Sequence, residues 1–176
     1  MSPASARSPA LPAAIIVMGV SGCGKSTLGG LLAQALACPF LEGDDFHSPE
    51  AVEKMRRGMA LTDEDRWPWL DRLGQAIASA GREQGVAVAA CSALRRCYRD
   101  RLRGTIDGSV RFVLLENSRD ALLARIGNRP GHYMPASLLD SQLATLERPQ
   151  PDEGAMLLRT DLPATLLCDL VLGALR

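Results

Sequence analysis

A cluster of glycines around one lysine and one serine is the part of the sequence whose chemistry is easiest to infer. Residues 19–26 fit the pattern Gly-x-x-x-x-Gly-Lys-Ser/Thr. Glycines let main-chain amides turn toward phosphate oxygens, and the helix that follows adds its positive N-terminal dipole. In this pattern the lysine reaches the β- and γ-phosphates and the hydroxyl ligates Mg²⁺. We therefore predict a nucleotide site with Ser26 on the metal, formed by Gly19, Val20, Ser21, Gly22, Cys23, Gly24, Lys25, Ser26 and Thr27.

The phosphate loop alone does not identify the reaction. Small-molecule kinases, nucleoside monophosphate kinases and GTPase switches all use such a loop. The sequence contains no Asn-Lys-x-Asp element of the kind that reads guanine, which weakens the interpretation as a switch.

An acidic pair followed by a histidine offers groups for the second substrate. Asp44, Asp45 and His47 come directly after a short apolar segment, residues 40–42. A carboxylate beside the γ-phosphate accepts a proton from a hydroxyl or holds magnesium through water. Alternate residues that leave a strand point to opposite sides, so we expect one of the two aspartates to face the phosphate, and we favour Asp44. Asp45 suits a turn or a helix cap, and the residues leave open whether His47 is structural or contacts substrate.

Basic residues gather at two further places. Arg66 lies in the segment Asp-Arg-Trp-Pro-Trp-Leu, residues 65–70, where its guanidinium suits bidentate binding of a carboxylate. Arg95 and Arg99 are four residues apart after the apolar segment 86–91, so they share one helix face. The composition around Lys54 predicts that it lies on a solvated helix face. We expect both tryptophans, Trp67 and Trp69, to belong to the core.

Arginines and glycines also alternate along residues 125–133. Glycines permit hinging and arginines neutralise charge on a transferred phosphoryl group, so we predict a small lid at about 127–134, with Arg125 and Arg129 closing over the nucleotide.

The elements that must position these residues alternate between strand and helix. Short apolar runs at 13–18, 40–42, 86–91, 110–115 and 156–159 read as strands of a parallel sheet, and helical spacing recurs between them. Ser48 and Thr62 are predicted helix caps, the second helix running to about residue 81. We predict an α/β fold, a three-layer sandwich of the P-loop NTPase type with a five-stranded parallel sheet covered by helices on both faces. Ligands of such sheets bind at the carboxyl ends of the strands.

Length, charge and cysteine content limit the classes of protein to consider. The 176 residues suit one domain at 13–176 behind a flexible tail at 1–12. Lysine plus arginine equals aspartate plus glutamate, 20 each, which gives no general attraction to nucleic acid or to membranes. Five scattered cysteines without a Cys-x-x-Cys pair suit a reducing compartment, and no apolar run approaches a membrane span or a signal peptide. We expect a cytoplasmic enzyme.

Six segments together resemble the gluconokinase family, the P-loop kinases that phosphorylate gluconate. They are residues 18–26, 43–47, 54–58, 61–70, 91–100 and 131–147, in the order found in that family, and they cover most of residues 14–153. The Asp-Arg-Trp-Pro-Trp-Leu and Cys-Ser-Ala-Leu segments are far more particular than the phosphate loop.

The resemblance implies ATP-dependent phosphorylation of D-gluconate to 6-phosphogluconate and a homodimer. It favours the following substrate residues: Asp44, His47, Lys54, Arg66, Ser92 and Arg99. We predict that Arg95 joins them, because it lies close to the carboxyl end of the strand at 86–91. Three residues depart from the family pattern, since Arg95 stands for a usual lysine, Ala51 for a frequent asparagine and Pro130 for a usual basic residue. Two alternatives stay open, namely another small-acid kinase resembling shikimate kinase and a nucleotide-binding regulatory protein.

Overall fold

The chain is described here by a computed structural model that covers residues 10–128 and 135–176. Most of the predicted lid, including Arg129 and Pro130, and residues 1–9 of the predicted tail lie outside the described residues. In the described part the strands are β1 (Ala14–Met18), β2 (Phe40–Glu42), β3 (Ala87–Ala90), β4 (Val110–Glu116) and β5 (Met156–Arg159). The helices are α1 (Lys25–Leu36), α2 (Pro49–Arg56), α3 (Asp63–Gln84), α4 (Arg96–Thr105), α5 (Arg119–Gly127), α6 (Ala136–Thr145) and α7 (Ala164–Ala174).

The five strands form one parallel sheet in the order β2-β3-β1-β4-β5. The central strand β1 is buried along its whole length, and its side chains alternate between the two faces. Ile15 and Val17 join the core beneath α1 and α7, whereas Ile16 and Met18 join the core beneath α3 and α4. The predicted α/β architecture, with a parallel sheet and helices on both faces, is confirmed.

The start of α3 follows directly from its sequence. The Thr62 side chain accepts a hydrogen bond from the Asp65 amide at 3.2 Å, and the Asp65 carboxylate accepts one from the Thr62 amide at 2.9 Å. This reciprocal capping box satisfies two amides that the helix leaves without partners. The predicted end of α3 at Gly81 is wrong. A Cβ at Gly81 would lie 2.9 Å from the Ala13 carbonyl oxygen, so this glycine serves close packing. The helix ends instead at Gln84, and Gly85, with φ +85°, is its C-cap.

Candidate active site

The phosphate loop joins the end of β1 to the start of α1. Gly19 has φ +140°, and a Cβ there would lie 2.7 Å from the Leu115 carbonyl oxygen and 2.8 Å from Cys23 Sγ. Gly22 and Gly24 also have positive φ, at +81° and +97°. Any side chain at Gly19 would therefore both clash and strain the backbone, which explains why glycine begins this loop.

Lys25 and Ser26 lie in the first turn of α1, as the motif requires. The ammonium of Lys25 donates to the Val20 carbonyl oxygen at 3.0 Å. The amide of Ser21 donates to Oε1 of Gln142, a residue of α6, at 2.8 Å. Ser26 donates its hydroxyl proton to the carboxylate of Glu42, the last residue of β2.

The acidic pair lies in a single turn of 3₁₀ helix, Gly43–Phe46, rather than at the end of an extended strand. The strand alternation by which we ranked Asp44 above Asp45 is therefore wrong, because successive residues of this turn do not point to opposite sides. Both aspartates are exposed, and the side chain of Asp44 is 84% accessible. The preference for Asp44 now depends on its neighbours rather than on backbone periodicity.

His47 closes this turn and faces Asp44. Its side chain is only 4% exposed, and its Nε2 lies 3.9 Å from the Asp44 carboxylate. Its Nδ1 is buried without a hydrogen-bond partner in the described part of the chain. Burial lowers the pKa of His47; the Asp44 charge opposes this effect, and Arg72 and Arg66 add to it. The imidazole is therefore neutral at pH 7.

Helix α3 holds the turn in place from one side. The Trp69 indole donates to the Gly43 carbonyl oxygen at 2.7 Å and stacks on the His47 ring, with centroids 4.1 Å apart. Arg72 donates two hydrogen bonds to the Phe46 carbonyl oxygen, at 2.7 and 3.0 Å. As predicted, Trp69 is part of the core, at 2% exposure, while Trp67 is only partly buried against it.

Residues from three strand ends converge on Cys91, which follows β3. Burial raises the pKa of the Cys91 thiol to about 12, and the charges of Asp44, Lys25 and Glu42 all act on it. Main-chain contacts bring the strand ends together here, because the Cys91 amide donates to the Val17 carbonyl oxygen at 3.0 Å and Glu42 pairs with Ala90. Ser26, the neighbour of Lys25, contacts Glu42, so the loop lysine and the acids after β2 lie at the same carboxyl edge of the sheet.

Asp63, the first residue of α3, is the acidic centre of a hydrogen-bonded network that includes Arg95, Tyr98 and Arg66. The Asp63 carboxylate accepts hydrogen bonds from the Tyr98 hydroxyl and from Arg95, the latter at 2.9 Å. Arg66 donates to the Tyr98 hydroxyl at 3.0 Å. The hydrogen bond from Tyr98, together with the charges of Arg95 and Arg66, holds the pKa of Asp63 below its usual range. Since Arg66 uses only Nη1 in the hydrogen bonds of the described residues, its remaining donors suit a substrate carboxylate.

Lys54 reaches the same region from α2. Its ammonium lies 2.7 Å from Asp65, the residue that also caps α3. The hydrogen bond from Lys54 is the main cause that lowers the pKa of Asp65 to about 2. The contact directs Lys54 toward the start of α3 rather than toward open solvent.

Ser92 connects the acceptor region to the phosphate loop through its main chain. Its carbonyl oxygen accepts a hydrogen bond from the Gly19 amide at 3.3 Å. The next residue, Ala93, is fully buried with φ +43°, a left-handed conformation that costs a non-glycine residue about 1–2 kcal/mol. Such strain collects at functional turns, where the surrounding structure enforces it.

The position of Arg99 does not support substrate contact. Its side chain is fully buried and binds both oxygens of Glu153, at 2.6 and 2.9 Å. Its Nη1 donates to the carbonyl oxygens of Ala93 and Leu94. Arg99 therefore ties the strained turn and α4 to the segment before β5, and the sequence-based assignment to the substrate is corrected to a structural one.

Arg125, in the last turn of α5, lies by the carboxyl end of β5. Its guanidinium donates to the Thr160 carbonyl oxygen at 2.6 Å and to the Thr160 hydroxyl at 3.2 Å. It therefore lies at the same edge of the sheet as the phosphate loop. Arg129, its predicted companion, falls outside the described residues.

Two residues of this site were not singled out from the sequence. Glu42 carries a signal, because it is an acid at the carboxyl end of a strand next to the phosphate loop. Gln142 carries none, since its contact with Ser21 spans 121 residues of sequence.

Several known proteins are similar to this chain in sequence and fold. The family described as an AAA domain matches residues 15–149. A gluconokinase from Gluconobacter oxydans is 49% identical over 142 residues, which are 81% of this chain and 79% of that protein. The thermosensitive gluconokinase of Escherichia coli is 45% identical over 140 residues, covering 78% and 73%. The crystal structure of a gluconokinase from Sinorhizobium meliloti superposes with a TM-score of 0.83 at 43% identity, covering 96% of this chain and 93% of that one.

Proposed function

Because the chain belongs to the gluconokinase family, we propose that it transfers the γ-phosphoryl group of ATP to the 6-hydroxyl of D-gluconate. The observation that carries the proposal is the position of Lys25, Glu42 and Asp44 at one edge of the sheet. Ser26, next to Lys25, contacts Glu42, which pairs with Ala90 of β3, and Asp44 follows Glu42 in the adjoining turn. Phosphoryl transfer through a loose transition state needs positioning and charge stabilisation more than covalent chemistry. A lysine for the phosphates and a carboxylate for the acceptor hydroxyl, held at one edge of a rigid sheet, meet that need.

Each end of gluconate has a proposed partner. Asp44 accepts the proton of the 6-hydroxyl or orients it, with His47 beside it. Arg66 binds the carboxylate, and Arg95 and Lys54 add positive charge beside it. Ser92, in the turn between β3 and α4, completes the proposed substrate site. Arg99 is left out of this set, because Glu153 and two carbonyl oxygens occupy its donors. Arg125 and Arg129 are proposed to close over the nucleotide.

The residues around Ser26 fit a magnesium ion that arrives with the nucleotide. Ser26 and Glu42 present a hydroxyl and a carboxylate in contact with each other, and Mg²⁺ prefers oxygen ligands. Within the described residues no group of three His, Cys, Asp or Glu side chains is arranged to hold a metal. This agrees with the usual magnesium site of a kinase, in which one or two protein groups and the phosphates share the ion. When bound, the ion neutralises charge on the phosphates.

A turnover assay with a panel of acceptors tests the proposal. ADP release should be far faster with gluconate than with shikimate, glucose or AMP. A preference for shikimate would favour another small-acid kinase, and a preference for AMP would indicate a nucleotide kinase. Nucleotide binding without turnover of any acceptor would point to a regulatory protein. Lys25→Ala should abolish turnover while leaving the fold intact.

We also propose that the protein forms a homodimer through α7. Leu166 and Leu170 lie one turn apart on this helix and are 43% and 44% exposed, and Leu162 just before it is 43% exposed. Exposed apolar stripes of this kind mark interaction surfaces. Light scattering should give the mass of a dimer for the natural chain and of a monomer for Leu166→Glu/Leu170→Glu.

A cytoplasmic location is part of the same proposal. It is supported by five cysteines that form no disulfide in the described chain. Along residues 10–128 and 135–176, no helix combines the length and apolar character needed to cross a bilayer.

A further inference from the structure

The peptide unit between Val20 and Ser21 is held from both sides. Its carbonyl oxygen accepts a hydrogen bond from the Lys25 ammonium at 3.0 Å, and its N–H donates to Gln142 Oε1 at 2.8 Å. A trans peptide is planar, with its carbonyl and its N–H directed to opposite sides. The side chain that fixes the direction of the N–H therefore also fixes the carbonyl on which Lys25 rests.

The phosphate loop has little internal means of fixing this peptide. Gly19 and Gly22 flank it with φ of +140° and +81°, and glycine adopts many other conformations at low cost. Rotation of the Val20–Ser21 peptide would turn its carbonyl away from the lysine. An anchor outside the loop removes that freedom.

Gln142 is well placed to be such an anchor. It belongs to α6, which is fixed to the core by Leu139, fully buried, and Leu138, at 7% exposure. The end of α6 is fixed as well, because the Glu147 amide donates to the Leu94 carbonyl oxygen at 2.7 Å and the Glu147 carboxylate accepts from Arg95 and from the Arg96 amide. A carboxamide is also a neutral acceptor, so it adds no negative charge where phosphates must bind.

We propose that Gln142 is a positioning residue for Lys25 and acts through the Val20–Ser21 peptide. By fixing that peptide, it holds the ammonium at the loop before the nucleotide arrives, so less reorganisation accompanies binding and transfer. The role belongs to the nucleotide half of the site and does not depend on which acceptor is phosphorylated.

Nucleotide titration in two backgrounds tests this role. Gln142→Met keeps most of the side-chain volume but removes the acceptor. Binding of a fluorescent ATP analogue should weaken about tenfold in the natural background, the scale of one lost hydrogen bond, and less than twofold when Lys25→Met is also present. Non-additivity of this kind is expected of residues that act as one unit. Equal weakening in both backgrounds would overturn the proposal, as would an unchanged affinity of the single variant.

Steady-state kinetics give an independent readout. Gln142→Met should lower kcat/KM for ATP about tenfold while the acceptor KM changes less than twofold, and Ser141→Ala, the neighbouring change on α6, should leave both parameters unchanged. Circular dichroism and urea unfolding check that α6 stays folded. A matching rise in the acceptor KM, or an equal effect of Ser141→Ala, would assign the loss to α6 as a whole and overturn the role. Failure of the natural chain to phosphorylate gluconate would contradict the proposed function but leave the nucleotide titrations valid.

Discussion

Trp69 donates its indole N–H to the main-chain carbonyl of Gly43 at 2.7 Å. The same ring stacks on His47, which lies four residues after Gly43. One side chain therefore holds both ends of the turn that carries Asp44. A Cβ at Gly43 would lie only 2.2 Å from the Ala90 carbonyl oxygen, so the turn is also pressed against β3. The acidic turn is therefore fixed by α3 on one side and by the sheet on the other.

Replacing Trp69 by phenylalanine should loosen this turn. The ring remains for stacking, but the buried Gly43 carbonyl loses its donor, which typically costs about 1–3 kcal/mol of unfolding free energy. We expect a several-fold fall in kcat as Asp44 becomes less well placed, measured beside urea unfolding. Trp67→Phe is the matched control, since Trp67 is less buried and contacts Tyr98 edge-on and Arg101 rather than the acidic turn. An equal loss in both variants would show that the hydrogen bond to Gly43 is unimportant.

The two adjacent aspartates should differ in their effect on turnover. Asp44→Asn keeps the shape of the side chain and removes its charge and basicity, so kcat should fall by about a hundredfold or more while the KM for ATP changes little. Asp45→Asn should cost much less turnover. The measurement is steady-state ADP release with gluconate. If the two variants exchange these behaviours, Asp45 is the acceptor-side carboxylate.

His47 should titrate below the usual pKa of 6.5, because burial outweighs the opposing charge of Asp44. Below pH 6.5 the unfolded chain binds a proton that the folded chain does not, so stability falls as the pH drops through that range. The protein has two histidines, so an NMR titration of the natural chain beside His47→Gln assigns the signal. A pKa at or above 6.5 would mean that the Asp44 charge prevails over burial.

Glu153 should be essential to the fold rather than to catalysis. Removing one member of a buried ion pair leaves the other uncompensated, so Glu153→Gln should lower the unfolding free energy by about 3–5 kcal/mol at pH 7. Its hydrogen bond from Arg99 lowers the pKa of Glu153 to about 2 from an ordinary 4.5. The stabilisation is therefore complete above about pH 4.5 and lost as the pH falls toward 2.

The exposed pair between Arg96 and Asp152 provides the control for that prediction. Asp152→Asn should change the unfolding free energy by less than about 1 kcal/mol. The double variant Arg99→Met/Glu153→Met should be more stable than Glu153→Gln, because replacing both charges by apolar groups avoids an unpaired one. It should also retain turnover, and its loss in a folded double variant would restore Arg99 to the substrate site.

Local patterns predicted the fold and the conformation of the glycine loop between β1 and α1. Short stretches of sequence are enough to predict a strand buried on both faces, a glycine loop and a capped helix start. The structure contains all three, as β1, the loop before α1 and the Thr62 cap. The end of α3 was misplaced, because the packing of Gly81 against Ala13 is a long-range contact that a local pattern does not contain.

The acceptor half was less predictable for the same reason. The spacing predicts that Arg95 and Arg99 share one helix face, but α4 begins at Arg96 and Arg95 is its extended N-cap residue. Their partners come from distant segments, since Arg95 meets Asp63 and Arg99 meets Glu153, 54 residues away. Strand geometry favours Asp44 over Asp45, but the chain after β2 forms a 3₁₀ turn, and its Gly43 lies close against β3, a long-range contact that the local sequence does not contain.

Helix α3 carries Arg66, which is assigned to the carboxylate of the acceptor, and Trp69, which fixes the turn of Asp44 at the other end of that substrate. Between them the backbone advances by about 1.5 Å per residue, a spacing that a helix does not readily stretch. In the proposed binding mode, the rigid helix therefore fixes the spacing between the groups that hold the two ends of the acceptor. We expect a sugar acid with one carbon fewer to be turned over more slowly than gluconate, measured as ADP release.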